Sequence, residues 1–316
     1  MRQKWGYQGY VTSDSGAIDD IYLQHHYLPN ATATVAAAIT AGCNMESANW
    51  PPNQPWATGG LYVDYVADAI EAGYMTEEDL DNALYWVLLQ EFRLGLFDPI
   101  DDQPYWHVPP DAVNTVASQN LSQLASKQSL VLLKNENNTL PFPKGSKVAV
   151  IGPHYEAQQA LVADYVGELC PDNTFDCITD VLAAITAVNS GNTTGSEGCD
   201  VTDTSTAGFA AAIATAQAAD YVVLMLGLDL SVEDEGLDRH NITLPGVQEQ
   251  LAQEIIGLGK PTVVVLINGG IIAVDWIVAN SPAIIEAFYP GFYGASAIAD
   301  TIFGDYNPGG KMPVTV

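Results

Sequence analysis

Two short stretches of this chain set acidic side chains directly after apolar runs. The first is Thr12-Ser13-Asp14-Ser15-Gly16, preceded by Tyr10-Val11-Thr12. That β-branched and aromatic run reads as a short buried strand. A carboxylate at the C-terminal end of a strand is placed to work as a nucleophile at the mouth of a strand–helix barrel. It is equally placed to cap a following helix, predicted here from about Ala17, and spacing alone favours the cap. The second stretch is Glu233-Asp234-Glu235-Gly236-Leu237-Asp238-Arg239, in the loop after the apolar run YVVLMLG at 221–227. On composition it reads as a solvated acidic loop. Two details favour chemistry instead. Gly236 supplies a conformationally free position beside Glu235, and Asp238 and Arg239 are adjacent, as a local ion pair shaping the loop would be. Clustered carboxylates of this kind suit proton transfer to and from a substrate oxygen.

These stretches lie on a strongly acidic chain of 316 residues, with 10 Lys and Arg against 38 Asp and Glu, a net charge of -28. The basic residues are scattered, which excludes a nucleic-acid-binding surface. The charge fits a soluble protein working in mildly acid surroundings. No apolar run is long enough for a bilayer, so no membrane partner is expected. The opening MRQKWGYQGY has no apolar signal segment. Cys43, Cys170, Cys177 and Cys199 lack paired CxxC spacing and a His cluster, so no metal is expected. Cys170 and Cys177 flank the turn-rich PDNTFD and are candidates for a small-loop disulfide. Glycosylation sequons begin at Asn30, Asn120, Asn137, Asn192 and Asn241. A secreted protein whose N-terminus is missing from this chain is the expectation.

The elements that position the two stretches differ in kind. Residues 32–42 (TATVAAAITAG) are Ala-rich and stop at Gly, as a helix does. Cys43-Asn44-Met45 reads as another short strand, followed by the loop NWPPNQPW. Residues 62–97 read as a helical hairpin, its second helix opened by a capping box in Thr76-Glu77-Glu78-Asp79. Residues 99–112, rich in Pro and acids, are the expected linker between a domain at 1–98 and one at 113–316. In the second domain the apolar runs SLVLLK, KVAVIG, YVVLMLG and PTVVVLI alternate with helical segments such as FAAAIATAQAA and GVQEQLAQEIIGLG. That alternation predicts an α/β/α sandwich with a mainly parallel sheet. No GxGxxG follows any of these strands, so no dinucleotide cofactor is expected.

With these pieces in view the chain resembles the family 3 glycoside hydrolases, and within them the β-xylosidase branch. The nucleophile motif of that family is matched by Thr12-Ser13-Asp14-Ser15-Gly16, and its E-x-E-G-x-D-R acid/base loop by residues 233–239. FRLGLFD at 92–98, QSLVLLKNENNTLP at 128–141 and GDYNPGGKMPVT at 304–315 follow in the family's order. The resemblance implies a (β/α)8 barrel remnant, its last strands and helices only, ahead of the sandwich; the earlier barrel strands and a fibronectin-like domain lie outside this chain. It implies an exo-acting retaining β-glycosidase, most closely a xylan 1,4-β-xylosidase. Asp14 would be the nucleophile and Glu235 the acid/base, with Glu233 the alternative. Retention requires those two carboxyls about 5–5.5 Å apart. Ser15 stands where many members have Trp, which fits an altered sugar pocket. The substrate implied is a β-linked oligosaccharide, with no cofactor and an extracellular location. The piece alone would be inactive. A β-glucosidase or α-L-arabinofuranosidase of the same family, and a non-catalytic sandwich binding carbohydrate or a partner, remain as alternatives. Within the implied secreted setting, Cys170 pairs with Cys177 and Cys43 stays reduced.

Overall fold

The computed structural model describes residues 1–48 and 60–315; the NWPPNQPW loop lies outside them. The chain divides into two compact units, Met1–Pro110 and Asp111–Val316.

The first unit is mostly helical. Asn30 caps the helix Ala31–Ala41 by accepting the Ala33 N–H at 2.8 Å, and Gly42 ends it at φ 104°. Its Ala-rich side lets Leu61–Glu71 pack closely, enclosing Val35, Ile39, Leu61, Ala69 and Met75. Thr76 and Asp79 form the expected capping box of Glu77–Arg93. The two short strands expected at 10–12 and 43–45 are reduced to a single parallel bridge between Thr12 and Met45. The two segments are joined through Ser13 N to Met45 O at 3.0 Å and Met45 N to Val11 O at 3.2 Å. One bridge is too little for a ladder, and Thr12 is exposed where a buried strand residue was expected.

The second unit holds a six-stranded sheet of β1 (Val131–Asn135), β2 (Val148–Ile151), β3 (Thr193–Ser196), β4 (Tyr221–Gly227), β5 (Thr262–Ile267) and β6 (Ala283–Glu286). Their order is β1-β6-β5-β4-β2-β3. All neighbours are parallel except β1, which runs antiparallel to β6. Alternation along the strands divides the core in two. Val148, Val150, Val223, Met225, Val263 and Val265 face one layer, with Ile185 and Ile298 from the helices Val181–Asn189 and Gly294–Ile302. Ala149, Ile151, Leu224, Leu226, Val264 and Leu266 face the other, with Ala212 and Leu251 from Phe209–Ala218 and Gln248–Gly257. The sandwich is therefore covered on both faces, which is why its central strands are apolar throughout.

Candidate active site

Asp14 occupies a corner between the bridge at Thr12 and the helix Ala17–Leu23. Gly16, at φ 73°, is the residue that turns the chain into that helix, and no side chain caps it. The Asp14 carboxylate instead accepts the Ser15 N–H at 2.8 Å and is exposed. The capping role favoured by spacing is thus overturned: the turn is closed by backbone, with Ala17 N donating to Asp14 O at 3.2 Å, and the side chain stays outside it. The corner is braced by residues 45–47. Ser13 Oγ accepts the Ser47 N–H at 2.9 Å, Ser15 and Ser47 hydroxyls meet at 2.8 Å, and Gly16 N donates to Ser47 O at 3.1 Å. Glu46, in the same brace, takes the N–H groups of Leu61 and Tyr62 at 3.0 and 2.7 Å, and burial raises its carboxyl above the ordinary range.

The acidic loop of the second unit leaves β4 at Gly227 and re-enters helix at Gln248. The two ends are clasped by the Gln248 side chain, which is fully buried. Its Oε1 accepts the Gly227 N–H at 2.9 Å, and its Nε2 donates to Gly227 O and Val201 O, each at 2.9 Å.

Within the loop the two glutamates have opposite surroundings. Glu233 Oε1 accepts from Gly269 N at 2.6 Å and Tyr289 hydroxyl at 2.6 Å, and Oε2 accepts from Gly270 N at 3.0 Å. Arg239 Nε completes the set at 3.3 Å from Oε2, the two side chains being only 16% and 12% exposed. Arg239 also donates to Ile271 O at 2.8 Å. Its partner is therefore Glu233 and not the neighbouring Asp238, because its side chain runs inward along the loop while Asp238 is exposed. A Cβ on Gly270 would lie 2.4 Å from Arg239 Nη2 and 2.7 Å from Glu233 Oε2, so any side chain there would displace the pair. Burial, then the bond to Glu233, pushes the Tyr289 phenol upward.

Glu235 is exposed at the tip of a tight turn in which Leu237 N donates to Asp234 O at 3.0 Å and Gly236 takes φ 76°. Its carboxylate accepts one side-chain bond among the described residues, from the Tyr165 hydroxyl. A carboxylate with four donors has its lone pairs committed, whereas Glu235 keeps an open oxygen for a proton.

Ser15 is exposed beside Asp14, and all five sequon asparagines are exposed. Cys170 is joined to Cys177, with Cα atoms 5.6 Å apart, while Cys43 and Cys199 are free thiols. Among the described residues no group of His, Cys, Asp or Glu is arranged to hold a metal ion, and no helix is long and apolar enough to cross a membrane. Tyr165, Gln248, Gly269-Gly270 and Tyr289 were not singled out from sequence. The paired glycines one residue beyond the apolar run PTVVVLI were the available signal, since a backbone without Cβ atoms at a strand end admits a close approach.

Two family descriptions match the chain. Residues 1–89 match the glycosyl hydrolase family 3 N terminal domain, and residues 130–316 match the glycosyl hydrolase family 3 C-terminal domain. A probable exo-1,4-beta-xylosidase of Aspergillus oryzae is 34% identical over 320 residues, covering 100% of this chain and 38% of that protein. A solved GH3 exo-beta-xylosidase in complex with a xylobiose aziridine probe superposes with a TM-score of 0.83 at 31% identity, covering 97% of this chain and 38% of that one. A beta-glucosidase from Listeria innocua in complex with isofagomine gives a TM-score of 0.84 at 26% identity, covering 98% and 41%. The chain thus spans about two fifths of the length of the relatives it matches.

Proposed function

The chain belongs to glycosyl hydrolase family 3, and from that premise we propose that the protein carrying it is an exo-acting, retaining xylan 1,4-β-xylosidase that trims xylo-oligosaccharides. The observation that carries the site assignment is the contrast between the committed Glu233 and the open Glu235. Asp14, exposed and free of a capping duty, attacks the anomeric carbon as Glu235 delivers its proton to the departing glycosidic oxygen. The C–O bond breaks and an Asp14 glycosyl ester forms. Glu235 then takes a proton from water, which releases the sugar with its configuration retained. Glu233 holds the loop. Ser15, small and exposed, borders the sugar.

In this reading residues 1–98 are the closing part of a barrel domain, 99–112 a linker and 113–316 the sandwich, and the piece by itself does not turn over substrate. The exposed sequons and the Cys170–Cys177 bond support a secreted glycoprotein; a mobility shift on enzymatic deglycosylation tests this. The similarity to a Listeria beta-glucosidase favours, as second reading, a β-glucosidase of the same chemistry. The full-length protein assayed on nitrophenyl β-xyloside, β-glucoside and α-arabinofuranoside separates the readings. Fastest turnover of the β-xyloside, with β-xylose as first product by NMR, is expected. An α-configured first product would overturn the mechanism, and a preference for β-glucoside the substrate.

A further inference from the structure

Tyr165 lies between the helix Gln159–Val162 and the Cys170–Cys177 bond, and its hydroxyl donates to Glu235 Oε2. Its backbone is in the left-handed region at φ 55°, as is that of Ala163 at φ 56°. For a bulky aromatic residue that conformation is an outlier, of the kind that collects where function requires it. Packing does not account for it, because Tyr165 is 80% exposed. The Asp164 carboxylate accepts the Tyr165 N–H and steadies the turn locally. What the strained turn achieves is delivery of one phenolic O–H onto one carboxylate. The phenol is pushed up to about 12 by that bond, so it remains a donor at any working pH.

We infer that Tyr165 is a positioning residue for the leaving-group side of the reaction: its hydroxyl fixes the Glu235 carboxyl, and its exposed ring walls the space for the departing sugar. The inference rests on Glu235 being the acid/base. A donor on Oε2 leaves Oε1 to carry the proton that passes to the glycosidic oxygen. As that proton leaves, Glu235 becomes a carboxylate and the phenolic bond to it becomes charge-assisted, so it strengthens along the reaction coordinate. The ring, unpacked on its outer side, offers the flat apolar surface that a sugar's C–H face covers.

The test is made in the full-length protein. Tyr165→Phe keeps the ring and removes the O–H. Its kcat/KM on xylobiose, whose leaving group needs protonation, should fall about ten- to a hundredfold. On a dinitrophenyl β-xyloside, which needs none, it should change by less than about threefold. Tyr165→Ala should add a rise in KM for xylobiose. Tyr165→Gly, free of the φ strain, should melt no earlier than wild type while losing the same activity, which a merely structural role would not produce. Equal losses of Tyr165→Phe on both substrates, or none on either, overturn the inference. Glu235→Gln measured alongside separates the levels. If it hydrolyses xylobiose like wild type, the acid assignment fails and the inference with it. If it fails selectively on xylobiose and Tyr165→Phe does not, the inference on Tyr165 fails alone.

Discussion

The Tyr289 hydroxyl donates to Glu233 Oε1 at 2.6 Å, joining residues 56 positions apart. The bond ties the acidic loop after β4 to the chain just beyond β6, with Gly269 and Gly270 beyond β5 as the third contact. Glu233 is thereby a strut between three strand ends, and Glu235, two positions later, is exposed and bonded to the Tyr165 hydroxyl.

Removing the strut should cost stability before chemistry. Glu233→Ala leaves Arg239 and two backbone N–H groups without their acceptor, and Arg239 Nη1 is already buried with no partner among the described residues. A loss of about 3 kcal/mol is expected, read from denaturant unfolding. Gly270→Ala should mimic it by steric means, since its Cβ has no room. Unchanged unfolding midpoints in both variants would refute the strut.

Asp14→Ala in the full-length protein should lower kcat by several orders of magnitude with folding intact, because the side chain caps nothing. Azide should restore part of the activity and give the inverted glycosyl azide. Glu235→Ala rescued by azide should instead give the retained product. Retained product from Glu233→Ala, and none from Glu235→Ala, would exchange the two glutamates' roles.

Stability should also respond to pH through two buried groups. Burial raises the Glu286 carboxyl from 4.5 to about 7, so between those values the unfolded chain has released a proton that the native state keeps. Stability from this group is complete below pH 4.5 and drains away as pH rises to about 7, by up to about 1.4 kcal/mol per unit. Burial depresses the His154 imidazole from 6.5 to about 4, so below pH 6.5 the unfolded chain binds a proton that the native state refuses, and stability falls on acidification. Glu286→Gln removes the first slope and leaves the second. Its melting temperature should exceed wild type at pH 8 and lose that advantage by pH 4.5; a pH-independent difference would contradict the burial of Glu286.

Replacing Cys170 and Cys177 together by Ser frees a loop closed over seven positions. The loop entropy model gives a loss of about 2–3 kcal/mol. Hydrogen exchange should rise across residues 163–169 if the bond also restrains the turn bearing Tyr165, and no change there would show that the turn holds itself.

Sequence was a good guide wherever one local signal decided the outcome. Gly42 ends its helix and Thr76 with Asp79 opens another because caps act within a few residues, whereas the Asn30 cap was not read from the sequence. β2, β4 and β5 were legible because strands buried on both faces are apolar almost throughout, Thr262 being the polar exception. β3, reading TTGS, has no such signal; it is strand only because β2 lies beside it. The same limit applied to the site. Asp14 stood at a place that suits a cap as well as chemistry, and only the backbone closure at Gly16 removes the cap. Arg239 had an acid next door in sequence, yet its partner was set by which side chain turns inward. Tyr165 and Tyr289 lie 70 and 56 positions from the glutamates they bind, beyond the reach of any local pattern.

The antiparallel pairing of β1 with β6, from Val131 opposite Glu286 to Asn135 opposite Ala283, has a consequence for biosynthesis. The first strand of the sheet in chain order finds its partner in the sixth. At translation rates of about 5–20 residues per second, roughly eight to thirty seconds separate the two. During that interval β2, β4 and β5 can assemble from the ribosome in sequence, each beside its predecessor. β1 stays without its sheet partner until β6 is made. The helix Val116–Ser129 waits with it, since its Lys127 is paired at 2.7 Å with Asp300. The sheet therefore closes head to tail, with β1 committed only once β6 has emerged.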